Sequence, residues 1–216
     1  MKRLFLISIL WLGACAPATQ TGSSTEIVSV YATSAAEPWL IELYACADRS
    51  SVVLNFTATS PDISIRVGEP KTLVSPAYRI AEEEILIVTN RESPMQNLTP
   101  EEAQALFAGK RDPSVQVWAY APREDLQVAF DALVMKGQPI TSFARLAAGP
   151  QQMSDILNAD ENAVGIVSRH GSPSTGSGQG LGTVREVYSA GTVPVLAITK
   201  SEPTGVTREL IACLQK

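Results

Sequence analysis

His170 is the only histidine of this 216-residue chain, and Ser168, Ser172 and Ser174 are its nearest hydroxyl neighbours. A catalytic Ser-His-acid set is recognised by geometry, and sequence neighbours seldom form one. No Gly-x-Ser-x-Gly elbow is present. His170 therefore reads as a surface histidine in a mobile loop. The glycine run from Gly176 to Gly182 suggests phosphate binding at first sight. It fails the Gly-x-Gly-x-x-Gly spacing, because the third glycine falls on Leu181 or Thr183, and it lacks a following Lys-Ser/Thr. It reads as linker. One histidine, no thiol pair at metal spacing and no repeated acidic loop argue against a metal. The expectation is a non-enzyme without cofactor or metal.

The three cysteines carry the remaining covalent chemistry. Lys2 and Arg3 are followed by an uncharged apolar run, Leu4 to Leu12, and then by Gly13-Ala14-Cys15. The run is shorter than the roughly 20 residues a membrane span needs, so it reads as a secretory signal over residues 1–14. Small residues before a cysteine resemble a bacterial lipoprotein box. That resemblance implies diacylglycerol on the Cys15 thiol, acylation such as palmitate, and anchoring outside the cytoplasm, in the periplasm or at the cell surface. Ala16 to Thr25 is rich in Ala, Thr, Gly and Ser and reads as a flexible tether. Cys46 and Cys213 are left over. In an oxidising compartment they form either a disulfide between two neighbouring helices or two buried thiols.

Removing Lys2 and Arg3 takes the formal charge from −5 to −7. An acidic body argues against nucleic acid as partner. The elements that must position any site alternate along the chain. Strands are predicted over 26–32, 52–56, 63–67, 84–89, 115–120, 163–168, 184–188 and 193–199. Helices are predicted after Ser34, which opens a Ser-x-x-Glu capping pattern or yields to a start at Pro38, and over 125–136, 151–158 and 204–214. Thr99-Pro100-Glu101-Glu102 starts another, with a Thr cap, Pro at the first position and Glu at the third. Residues 172–182 are predicted to be a mobile loop. Alternating elements point to α/β layers with helices on both sheet faces.

Four stretches then resemble type 2 periplasmic solute-binding proteins, in the phosphate-binding-like branch. They are Tyr31-Ala32-Thr33-Ser34-Ala35 before a helix, Leu98 to Lys110, Val117-Trp118-Ala119-Tyr120 onward to Phe130, and Asn162 to Val167. The resemblance implies two α/β lobes, each a mixed sheet flanked by helices, with a ligand cleft between them. Lobe 1 would take residues 26–88 and 192–216, and lobe 2 residues 89–191. It further implies a membrane-anchored solute-binding component of an ABC-type transporter, monomeric, with a small solute and a membrane permease as partners. The alternative is a ligand-free sensor or interaction lipoprotein on the same fold.

The implied ligand set is Thr33, Ser34, Arg66, Arg123, Glu124 and Asp125. Thr33 and Ser34 follow the first strand, where free backbone N–H groups face the cleft. Ser34 has the alternative role of capping its own helix. Arg66 offers a bidentate donor or a solvated charge. Phosphate binders carry Arg and then Ser-Gly-Thr in the second-lobe loop, whereas this chain has Arg123-Glu124-Asp125. Two carboxylates there would repel a phosphate dianion and occupy the donors meant for it, so phosphate is not expected; the resemblance leaves a small anion as the implied ligand, and a cleft that binds nothing small is the alternative. Asp125 could instead cap its helix, or the two acids could hold a cation or amine.

Overall fold

A computed structural model describes residues 26–170 and 184–215. The signal run, Cys15, the tether and the 172–182 loop lie outside the described residues. Eight strands make one mixed sheet in the order β2-β1-β3-β8-β4-β7-β5-β6. The strands are β1 (Ile27–Ala32), β2 (Val53–Phe56), β3 (Ile63–Val67), β4 (Ala77–Asn90), β5 (Gln116–Tyr120), β6 (Arg145–Ala147), β7 (Ala163–Ser168) and β8 (Val184–Thr199). The helices are α1 (Leu40–Arg49), α2 (Pro100–Phe107), α3 (Asp125–Phe130), α4 (Pro150–Ala159) and α5 (Gly205–Leu214). No helix among the described residues is long and apolar enough to cross a membrane.

β4 and β8 tie the two ends of the sheet together. They run antiparallel from Ala77 opposite Ile198 to Asn90 opposite Val184. The sequence suggests a six-residue strand at 84–89, because only that part is continuously apolar. The strand instead begins at Ala77, since the antiparallel ladder to β8 outweighs the polar Glu82-Glu83-Glu84 run. The two strands expected at 184–188 and 193–199 are one. Gly191, at φ 116°, supplies a backbone conformation that L side chains rarely adopt, and the pairing register slips there between Ile85 and Leu86.

Helical cover differs between the two ends. Every residue of β7 is buried, so both of its faces are covered. In β1, Val28 and Val30 are buried while Ile27 and Tyr31 are exposed. Among the described residues, helices therefore cover only one face of β1 at this end. The crossing from β2 to β3 over β1 uses only residues 57–62, too few for a helix, and is held by the Thr57 N–H on the Val30 carbonyl and the Asp62 N–H on that of Ser29. β6 has no counterpart among the predicted elements. The expected 125–136 helix is α-helical only to Phe130 and continues as a π-turn to Met135, closed by Lys136 and Gly137 at positive φ.

α2 starts as its sequence pattern requires. Thr99 Oγ1 accepts from the Glu102 N–H (3.2 Å), and the Glu102 carboxylate accepts from the Thr99 N–H (2.9 Å). Replacing Thr99 with Ala is expected to cost about 1 kcal/mol, measured as a lower urea midpoint at unchanged slope. α1 and α5 lie side by side, and the Sγ atoms of Cys46 and Cys213 are 2.10 Å apart in a disulfide, with Cα atoms at 5.9 Å.

Candidate functional site

β1 and β3 end side by side, parallel, with Tyr31 opposite Ser64 and Ala32 opposite Ile65. The chain leaving β1 is pinned there by the Thr33 N–H on the Ile65 carbonyl. Thr33 is extended (φ −71°, ψ 160°) and caps a short 3₁₀ turn over Ser34–Trp39, yet its side chain makes no capping bond. Its hydroxyl is thus free to point across the sheet end toward the start of α3. Arg66, one residue before the end of β3, points to the same place.

The Asp125 carboxylate fills that place. Its Oδ2 accepts from Thr33 Oγ1 at 2.7 Å and from the Val67 N–H at 3.1 Å. Its Oδ1 accepts from Arg66 Nη2 at 2.5 Å and from Arg66 Nε at 3.2 Å. Asp125 is only 5% exposed, while the Arg66 side chain keeps a third of its surface in water. Hydrogen bonding to Asp125 holds the Arg66 guanidinium above its ordinary value, against the opposing effect of burial. One residue earlier, Glu124 accepts from Ser34 Oγ at 3.0 Å. A hydroxyl, a guanidinium and a backbone amide aimed at one point make a donor set for a small oxyanion. Here the chain supplies the anion itself.

Five of the six expected ligand residues thereby meet, in two pairings: Thr33 and Arg66 on Asp125, and Ser34 on Glu124. They meet one another rather than an open site. Neither capping alternative holds. Ser34 lies inside the 3₁₀ turn with its hydroxyl on Glu124, and α3 is capped by Glu124 without a side-chain bond. Arg123 stays exposed and joins Arg66, Glu69 and Lys71 around a cavity of about 430 Å³ beside the contact. Among the described residues, no group of three or more His, Cys, Asp or Glu could hold a metal ion.

A second polar cluster escaped the sequence reading. Glu83 is fully buried. It accepts from Trp39 Nε1 (3.2 Å) and the His170 N–H (3.2 Å) and lies 3.1 Å from His170 Nδ1. The Trp39 and His170 rings sit 4.3 Å apart. His170 is therefore anchored at the sheet, not carried free on a loop. Strand alternation through Glu82-Glu83-Glu84 was the available signal, because it turns the middle glutamate to the side opposite its neighbours. Of the nearby serines, Ser168 is buried and the other two lie outside the described residues.

An eight-stranded mixed sheet bridged by two long antiparallel strands, with a cleft at the ends of β1 and β3, can be compared with known proteins. A Clostridium perfringens protein assigned as a phosphate ABC transporter substrate-binding protein, with phosphate bound, superposes at a TM-score of 0.75. The two are 16% identical over 88% of this chain and 93% of that one. The fold is that of the type 2 periplasmic binding proteins. An ABC-type phosphate transport receptor from Vibrio cholerae matches at 0.65, with 15% identity over 88% and 93% of the two chains. The CcmR regulatory domain of Synechocystis PCC6803, in complex with 2-PG, matches at 0.66, with 11% identity over 88% and 96%. The same fold is thus found both in proteins named as transport receptors and in a regulatory domain. No protein-family model matches this sequence, and no curated protein matches it.

Proposed function

We propose that this chain is a lipid-anchored extracytoplasmic binding module whose cleft is latched by its own Asp125, so that it serves as a sensor or interaction lipoprotein and not as a phosphate carrier. The observation that carries this reading is the Asp125 carboxylate on the donors of Thr33, Arg66 and Val67. A phosphate entering there would have to displace a buried carboxylate and would meet Glu124 beside it. The Cys46–Cys213 disulfide supports an oxidising compartment, and the residues before Cys15 support secretion and lipidation. A second reading, the solute receptor of an ABC-type transporter, draws on the cavity of about 430 Å³ lined by Arg66, Lys71 and Arg123.

Thermal unfolding separates the two readings. A ligand at 100 times its Kd adds about 2.7 kcal/mol. The wild-type chain is expected to show no stabilisation by phosphate, sulfate, small carboxylates or amino acids at 10 mM concentrations. A rise of several degrees with any of these would overturn the latched reading in favour of the receptor. For the anchor, an alkyne palmitate analogue fed to cells is expected to label the wild type and to leave Cys15→Ser unlabelled and released from the membrane fraction.

A further inference from the structure

The far edge of the sheet carries an exposed apolar surface beside a guanidinium, Arg145, that pairs with no carboxylate among the described residues. β6 is the last strand in the sheet order and, among the described residues, pairs only with β5. Around it, Phe143 is 86% and Leu146 59% exposed. Between the β5–β6 edge and the end of α2 lies a groove of about 590 Å³, with Leu106 and Val117 in its floor and Phe143 in its wall. Arg111 and Arg145 line the same groove. Arg145 lies over the Trp118 ring at 5.7 Å, and among the described residues it pairs with no carboxylate. Arg111 shares Glu102 at 3.0 Å. The one acid in the groove lining, Asp112, is turned onto Ser114, accepting from its N–H and hydroxyl at 2.9 and 2.8 Å. In a chain of formal charge −5, this places an unpaired guanidinium beside exposed aromatic and aliphatic side chains. Aromatic residues and Arg are the types that dominate protein interfaces.

We propose that the groove between α2 and β6 is a docking site for an acidic, extended segment of a partner protein carrying an apolar anchor residue. The anchor would fill the groove against Phe143 and Leu106, and a carboxylate of the segment would pair with Arg145, while Arg111 stays on Glu102. An unpaired sheet edge suits an extended partner, which adds backbone hydrogen bonds to the side-chain contacts. Charge complementarity selects this occupant: a second copy of the chain would bring another acidic body but also the same arginines against each other in a two-fold contact. The site lies apart from the Asp125 cleft and stands whether or not that cleft takes a solute.

The test is selection of a phage-displayed library of random twelve-residue peptides on the whole mature chain. Enriched peptides are expected to share two or more Asp or Glu around an aromatic or aliphatic residue. Synthesised and measured by fluorescence anisotropy, they should bind at least tenfold more weakly to Arg145→Glu and to Phe143→Ser, and more weakly at high salt. Both substitutions are at exposed positions, and unchanged melting curves would show that the variants fold. The proposal is overturned if nothing is enriched, if the enriched peptides lack acids, or if both variants bind as the wild type does. It is also overturned if sedimentation shows a dimer that Phe143→Ser dissolves, since the occupant would then be a second copy.

Discussion

Replacing Asp125 with Ala is expected to convert a latched cleft into an anion site. The change frees the Arg66 guanidinium, the Thr33 hydroxyl and the Val67 N–H, which all point at the vacated carboxylate position. Removing one partner of a buried ion pair costs about 3–5 kcal/mol. Arg66 keeps a third of its surface in water, which screens the loss, so about 2–3 kcal/mol is expected here. Phosphate or sulfate should then recover most of that loss in thermal unfolding, although neither stabilises the wild type. Asp125→Asn provides the control. Its amide oxygen still accepts from Thr33 or Val67 but no longer pairs with Arg66, so it should be destabilised without gaining an anion response. If Asp125→Ala folds and no anion stabilises it, the donors do not form a site and the latch is only a structural ion pair.

Breaking the Cys46–Cys213 disulfide is expected to lower stability substantially. It joins residues 167 positions apart and staples α5, the last described helix, to α1. Removing a disulfide that closes so long a loop typically costs about 2–5 kcal/mol. For a chain of this size that corresponds to a fall in melting temperature of roughly 5–15 °C. Cys213→Ser and the reduced wild type should fall by similar amounts in calorimetry, and reductant should leave the variant unchanged. Equal melting temperatures for oxidised and reduced wild type would show that helix packing alone holds α5. Arg49 Nη2 lies 2.6 Å from Cys213 Sγ, so the bridge also sits in a cationic environment.

Local patterns in the sequence carried much of the fold. The alternation of Ile63 to Val67, the continuous apolar run of Ala163 to Val167 and the Thr99–Glu102 capping pattern each act over a few residues, and the structure has β3, β7 and α2 at those places. Partnerships across the chain were not legible in the same way. The polar start of β4 is a strand because β8 pairs with it, and β6 exists only because β5 lies alongside. Among the described residues one side of β1 has no helix over it, because the crossover is six residues long, and this appears only once β2 and β3 are seen to flank β1.

The sequence by itself supplied the donors and acids, Thr33, Ser34 and Arg66 at the ends of two predicted strands and Arg123, Glu124 and Asp125 at the start of a predicted helix, with local capping roles still open for Ser34 and Asp125. It also placed two adjacent carboxylates, Glu124 and Asp125, at the start of α3. Whether those acids would cap a helix, hold a cation or occupy the donors was decided only in three dimensions. Asp125 is 92 residues from Thr33 and 59 from Arg66, and no periodicity reaches that far. Packing of α3 against the ends of β1 and β3 brings the carboxylate within 2.5–3.2 Å of its donors. A buried charge at that depth is stable only when its neighbours satisfy it, and the residues that do so here belong to the would-be ligand site.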